Sequence, residues 1–246
     1  QTKVCHKMKP LYRQLEDKEY AKEQFLDKIS LLWLKTQLNI NNKSIKIPRD
    51  QIRPLDKTLF SSLIPRQEWF SRRNTSGIHG LRHIMRVIIF THLICQTKRI
   101  KSPLSYLIAA AVHDIKREDD TSDKYHGLNA ANWFLKTDFR IKRALNKNEI
   151  QNIYWAIRNH NLASNDANDT KNNILKVLKC ADALDRYRLP RRQFWMKRKL
   201  LPLKISSWLI LFAKNFIIDT EEKVIIQKIE PKKAILDSAK KYSIIV

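Results

Sequence analysis

Six of the seven histidines fall between residues 79 and 160, on segments with helical patterning, and aspartates accompany them. His83 follows His79 by four positions, so the two share a helix face. His113 and Asp114 stand side by side in "SYLIAAAVHDIKRED" (105–119), after an apolar run. His126 opens "HGLNAANWF", and His160 closes "YWAIRNH". Asp182 lies in "LKVLKCADALDRYR", with Asp185 and Arg186 about one turn further on. The recurring feature is a metal-capable side chain near a helix end, with hydrocarbon behind it. Imidazoles and carboxylates are costly to bury unless something satisfies them, and a metal ion satisfies both at once. This donor chemistry suits Fe, Mn, Co, Zn or Ni, with Mg also possible, rather than a thiolate-rich structural zinc.

Taken singly, each residue has a plainer reading. His83 fits an ordinary interior histidine, and His113 with Asp114 a hydrogen-bonded helix end. His126 fits a helix start, His160 a helix C-terminus where a cation is favoured, and Asp182 an ion pair with Arg186. His92 has no such context and reads as structural.

Taken in order, the residues resemble the HD-domain superfamily of metal-dependent phosphohydrolases. Its signature is a His, an adjacent His-Asp pair and a distant Asp, which here are His83, His113 with Asp114, and Asp182. His126 and His160 are similar to the two extra histidines of two-metal members. The flanks "IHGLRHIMRV", "HDIKREDD" and "ADALDRYRLP" are similar to HD enzymes that split dinucleoside polyphosphates and to bacterial HD proteins without an assigned activity. The resemblance covers about residues 76–190. It implies two divalent ions held by His83, His113, Asp114, His126, His160 and Asp182, with Asp114 between them. It also implies a hydrolase of nucleotide-type phosphoesters or phosphoanhydrides that uses a metal-activated water. Arg117 stands three residues after Asp114, where many HD proteins place a phosphate-contacting lysine; Lys116 and Arg86 are second choices for that role. His79, Asp185 and Arg186 would sit behind the ligands, orienting them or touching substrate, while for His79 a surface-exposed role stays equally open.

The elements that must hold these groups read as helices, so the expected fold is all-α. Residues 11–40 show apolar positions three and four apart and predict an amphipathic helix. Residues 41–57, with Pro48 and Pro54, predict a loop. Further helical patterns run over about 78–96, 104–115, 126–136, 147–160, 174–188 and 205–217. In "EKVIIQKIEP" (222–231) a helix and a short strand are both open. The expected organisation is a helical extension over 1–75 of unassigned role, an HD core over 76–190, and a basic helical region over 191–246 packing on that core.

Forty-eight Lys and Arg against 24 Asp and Glu leave a net charge of +24, which attracts polyanions. Residues 186–204 hold eight Lys or Arg and no acid, interleaved with Tyr187, Phe194 and Trp195. That mixture fits either single-stranded nucleic acid or a basic helix face whose aromatics pack inward. A nuclease of HD type, or a nucleic-acid-binding module with an inactive metal site, is therefore the alternative function; a di-iron oxygenase ranks below both. No run reaches the ~18 apolar residues of a spanning helix. Three scattered cysteines make no disulfide framework, which favours a reducing setting and a cytoplasmic location. The first ten residues carry no hydrophobic signal core and no initiating Met, so the chain is expected to be a piece of a longer one.

Overall fold

The computed structural model describes residues 9–40, 45–71, 75–138, 140–162 and 172–246. Cys5, His6 and the start of the extension lie outside the described residues. Ten α-helices follow one another among them, and the fold is all-α as the periodicity predicts. They are α1 (Leu11–Glu16), α2 (Lys28–Gln37), α3 (Lys57–Leu63), α4 (Leu81–Thr97), α5 (Leu104–Val112), α6 (His126–Lys136), α7 (Lys147–Asn159), α8 (Asn173–Asp185), α9 (Ser207–Ile225) and α10 (Pro231–Lys241). The nearest thing to a sheet there is one isolated bridge, Leu55 to Ile245, where the last residues lie beside the loop before α3.

The central element is α4. Every residue from Arg82 to Cys95 is buried, because α5, α8, α9 and α10 surround it. A helix enclosed in this way must satisfy whatever charge it carries from its neighbours. The α6 and α7 helices form a second pair that docks through α5 and α8. One continuous apolar cluster runs from Leu11 to Ile245, so residues at both ends of the chain join the core that surrounds the histidines.

Helix starts follow local chemistry. Asp27, Asp56, Asn146 and Asn172 accept from backbone N–H groups at the first turns of α2, α3, α7 and α8. Glu149 completes a capping box on α7. Glu230 caps α10, whose first residue is Pro231.

The expected long helix over 11–40 is two short ones. The chain leaves α1 through Lys18 at φ 60°, then runs without helix until Asp27 caps α2. The reason lies far away in sequence: the Gln24 N–H donates to the Asp120 carboxylate (2.7 Å), and the Asp120 N–H donates to the Lys22 carbonyl (2.8 Å). Spanning that distance requires an open backbone. The predicted loop over 41–57 holds for residues 45–56; residues 41–44 lie outside the described residues. In 222–231 the helical alternative is the one found: α9 continues to Ile225, and Lys228 turns the chain at φ 59° into α10. Among the described residues, no helix is long and apolar enough to cross a membrane.

Candidate metal centre

Helix ends bring five separate segments to one point. His83 comes from α4, His113 and Asp114 follow α5, His126 is the first residue of α6, His160 follows α7, and Asp182 lies in α8. All but Asp182 are buried; its side chain is about one-third exposed to the adjoining cavity.

One local device orients three of the histidines. The Nδ1–H of His113 donates to the Ala110 carbonyl (2.9 Å), that of His160 to Ile157 (2.7 Å), and that of His126 to Asp123. In each case the acceptor is three residues upstream; for His113 and His160 it is a carbonyl that the ending helix would otherwise leave unpaired. His83 uses a carboxylate instead, its Nδ1–H donating to Asp185 Oδ2 (2.8 Å). With Nδ1 engaged on its outer side, each ring turns Nε2 inward, the atom that a metal ion would take.

Those nitrogens meet. Nε2 of His83 and His113 are 3.2 Å apart, and Nε2 of His126 and His160 are 3.1 Å apart. Two imidazole nitrogens on one ion at about 2.0–2.1 Å, at angles between octahedral and tetrahedral, lie about 2.9–3.4 Å apart. The donors therefore fit a cation between each pair. Without one, the two nitrogens of each pair share a hydrogen bond instead.

Asp114 links the two pairs. Its Oδ1 is 3.2 Å from His126 Nε2 and 3.1 Å from His160 Nε2, while its Oδ2 is 3.5 Å from His83 Nε2 and 3.9 Å from His113 Nε2. Two overlapping donor groups result, His83–His113–Asp114 and Asp114–His126–His160, whose ligand atoms are close enough to hold a metal ion. Asp182 Oδ1 is 3.5 Å from His83 Nε2, beside the first group. Burial opposes the charge of Asp114, but the imidazoles ranged around it, with hydrogen bonds from His126 and His160, hold its carboxyl well below the ordinary range. Burial pushes His113 down to about 4, so near neutrality it is a bare ligand rather than a cation.

A charged layer supports these ligands from behind. Arg86, expected as a phosphate contact, is instead completely enclosed. Its Nε donates to Asp185 Oδ1 (2.5 Å), Nη2 to Asp185 Oδ2 (3.2 Å) and Nη1 to Glu221 Oε1 (2.6 Å). It fixes the carboxylate that orients His83, and the covering helix α9 shuts it off from solvent. Arg82 lies 3.1 Å from Glu221 in the same layer. Burial opposes the charge of Asp185, yet Arg86 and Arg188 hold its carboxyl well below the usual range.

Lys116 also departs from expectation. Its Nζ donates to the Trp69 carbonyl (2.5 Å) and lies over the Trp133 ring, outside the cavity. Arg117 does border the cavity, 4.0 Å from Asp114 Oδ2, with its Nε donating to the Asp119 carbonyl (3.0 Å). Asp185 stands behind His83 as expected. His79 borders the cavity, its Nδ1 2.7 Å from Asp120. Arg186 is exposed at the cavity edge and holds no ligand; the ion pair considered for it with Asp182 is replaced by His83.

The cavity over the centre has a volume of about 730 Å³ and reaches into the basic segment. There the inward-packing alternative describes Tyr187 and Trp195. Tyr187 is buried, and Trp195 packs edge-on against it and Trp33 while donating to the Leu189 carbonyl (2.8 Å). Sequence reading missed Arg188, which is buried beside the ligands; the signal available was its spacing of three from Asp185. Comparison of the chain with models of known protein families, with curated proteins and with solved structures finds no match.

Proposed function

We propose that this chain is a metal-dependent phosphohydrolase of the HD type, cleaving a phosphoester or phosphoanhydride bond of a nucleotide-type substrate. The observation that carries the reading is the pair of Nε2–Nε2 approaches at 3.2 and 3.1 Å on either side of Asp114. His83, His113 and Asp182 would hold one divalent transition ion and His126 and His160 a second, with one Asp114 oxygen turned to each. Ions bound there would lower the pKa of a water from about 15.7 toward roughly 7 and neutralise phosphoryl charge.

The rest falls to the chain's own residues. Asp185, with Arg86 behind it, holds His83 in one tautomer and orientation. Arg117 supplies a guanidinium at the cavity wall for phosphoryl oxygens. The His79–Asp120 pair borders the same space and gives a polar contact for the leaving side of the substrate. No side-chain nucleophile is required. The buried free thiols Cys95 and Cys180 suit a reducing compartment such as the cytoplasm.

The net charge of +24 favours nuclease action as the second reading. The test is elemental analysis of purified protein, followed by nucleotides, cyclic dinucleotides, dinucleoside polyphosphates and single-stranded DNA or RNA with Mn, Fe, Co and Mg. At least one bound ion per chain is expected, with phosphate release lost in His113→Ala and Asp114→Ala. Weak salt dependence supports the small substrate, while a steep one supports the polymer. Less than one ion per chain, with no release that depends on these residues, rejects both.

A further inference from the structure

Two arginines are buried beside the candidate centre, and they differ in one respect. Arg86 spends all three guanidinium nitrogens on Asp185, Glu221 and Thr220 and does not border the cavity. Arg188, only 3% exposed, spends two. Its Nε donates to the Ile78 carbonyl (2.6 Å), and its Nη1 donates to the Asp185 carbonyl (3.1 Å) and lies 3.2 Å from the Asp185 carboxylate. Its Nη2 has no hydrogen-bond partner among the described residues, and the side chain borders the cavity that also holds Asp114, Asp182 and Arg117.

With Nε and Nη1 held from the inner side, Nη2 is the nitrogen left to meet a ligand oxygen in the cavity. The clamp on its inner side fixes the plane and aims the remaining donor outward, as planar recognition of a tetrahedral anion requires. The surrounding charges point to an anion as well. Five cationic side chains border the cavity, Arg117, Lys179, Arg186, Arg188 and Lys197, against the three carboxylates Asp114, Asp120 and Asp182.

We propose that Arg188 is a phosphate-binding residue, its Nη2 donating to a non-bridging oxygen of the phosphoryl group presented to the metal centre. The inference rests on the phosphohydrolase reading for its ligand class. It adds a second guanidinium to Arg117, so that one phosphoryl group is gripped by side chains from two separate segments. Lysine would not replace Arg188, because an ammonium cannot take the Ile78 and Asp185 bonds and still face the cavity.

The experiment titrates inorganic phosphate into the full chain loaded with Mn²⁺, by calorimetry. Metal content and melting temperature are measured on the same samples. In Arg188→Met and Arg188→Lys, phosphate affinity per loaded site is expected to fall about 10- to 100-fold with metal content unchanged, the loss of one charge-assisted hydrogen bond. Added guanidinium ion should restore part of it in the methionine variant. Phosphate affinity within twofold of wild type in a loaded variant overturns the proposal, as does a loss that only follows loss of metal. If Arg188→Met does not fold, Arg188→Lys decides by the same criteria. The two readings fail separately. Arg188-dependent phosphate binding without hydrolysis of any substrate keeps the anion site and removes the enzyme. Hydrolysis with unchanged phosphate affinity in the variants removes Arg188 alone.

Discussion

Gly127→Ala tests how the second donor pair is assembled. A Cβ built on Gly127 falls 2.9 Å from the Ile157 carbonyl oxygen, 2.9 Å from Asn161 Oδ1 and 3.0 Å from the Arg158 carbonyl oxygen. Two of these are backbone atoms at the end of α7 and cannot rotate away. Ordinary contact begins at 3.4 Å, so α6 and α7 must part by about 0.5 Å. The Ile157 carbonyl is also the acceptor that orients His160 (2.7 Å), so the displacement falls on the carbonyl that aims that ring at His126. Overpacking of this kind costs about 1–3 kcal/mol. In a chain of this size that lowers the melting temperature by roughly 2–12 °C. A ligand constellation tolerates displacement of only about 0.5 Å, so the Asp114–His126–His160 group should bind its ion about 10- to 100-fold more weakly. The group containing His83 and His113 lies on other elements and should keep its affinity. Competition for Co²⁺ against a chromogenic chelator would then show two separated steps. An unchanged titration with a melting temperature within about 1 °C of wild type would refute the claim that close approach of α6 and α7 builds this half of the site.

Other consequences are open to direct measurement. Asp185→Ala leaves Arg86 and Arg188 without their shared carboxylate and should destabilise the fold by about 3–5 kcal/mol, read by denaturant unfolding; a loss below about 1 kcal/mol would show that Asp185 is not what balances them. Asp27 is partly buried, which opposes its charge, but bonds from the Ser30 hydroxyl and from the Leu11, Ser30 and Ile29 N–H groups lower its pKa. Its contribution is therefore present above the ordinary value of 3.8 and is lost as pH falls through the folded value. Asp27→Ala should cost about 1 kcal/mol at pH 7 and less as the pH drops below that range. Burial raises the thiol of Cys95 to about 12 and that of Cys180 to about 11, so both stay protonated at pH 8. Peptide mapping after iodoacetamide treatment should find both unmodified in native protein and modified in denaturant; rapid native labelling would contradict their burial.

The helices around the histidines were legible because apolar periodicity is a local property, and α4 to α8 start and stop within a few residues of their predicted bounds. The six candidate ligands were legible for a related reason. Each sits at a helix end, where chain direction and spacing already decide which way a side chain can face. What failed depended on residues distant in sequence. The break after α1 exists because Gln24 reaches Asp120, 96 positions away. Arg86 looked like one more cation beside "HIM" until α9 covered it with Glu221, 135 positions on. Lys116 and Arg117 are adjacent, yet only the packing of Trp69 and Trp133 decides that one turns outward and the other into the cavity. The sequence by itself determined the helical class, which follows from composition and period, and it supplied the candidate donors and their order through a resemblance. The tertiary structure alone decided which imidazole nitrogens meet, that Arg86 is saturated and that Arg188 Nη2 has no protein partner among the described residues, because hydrogen-bond saturation is settled by every neighbour at once.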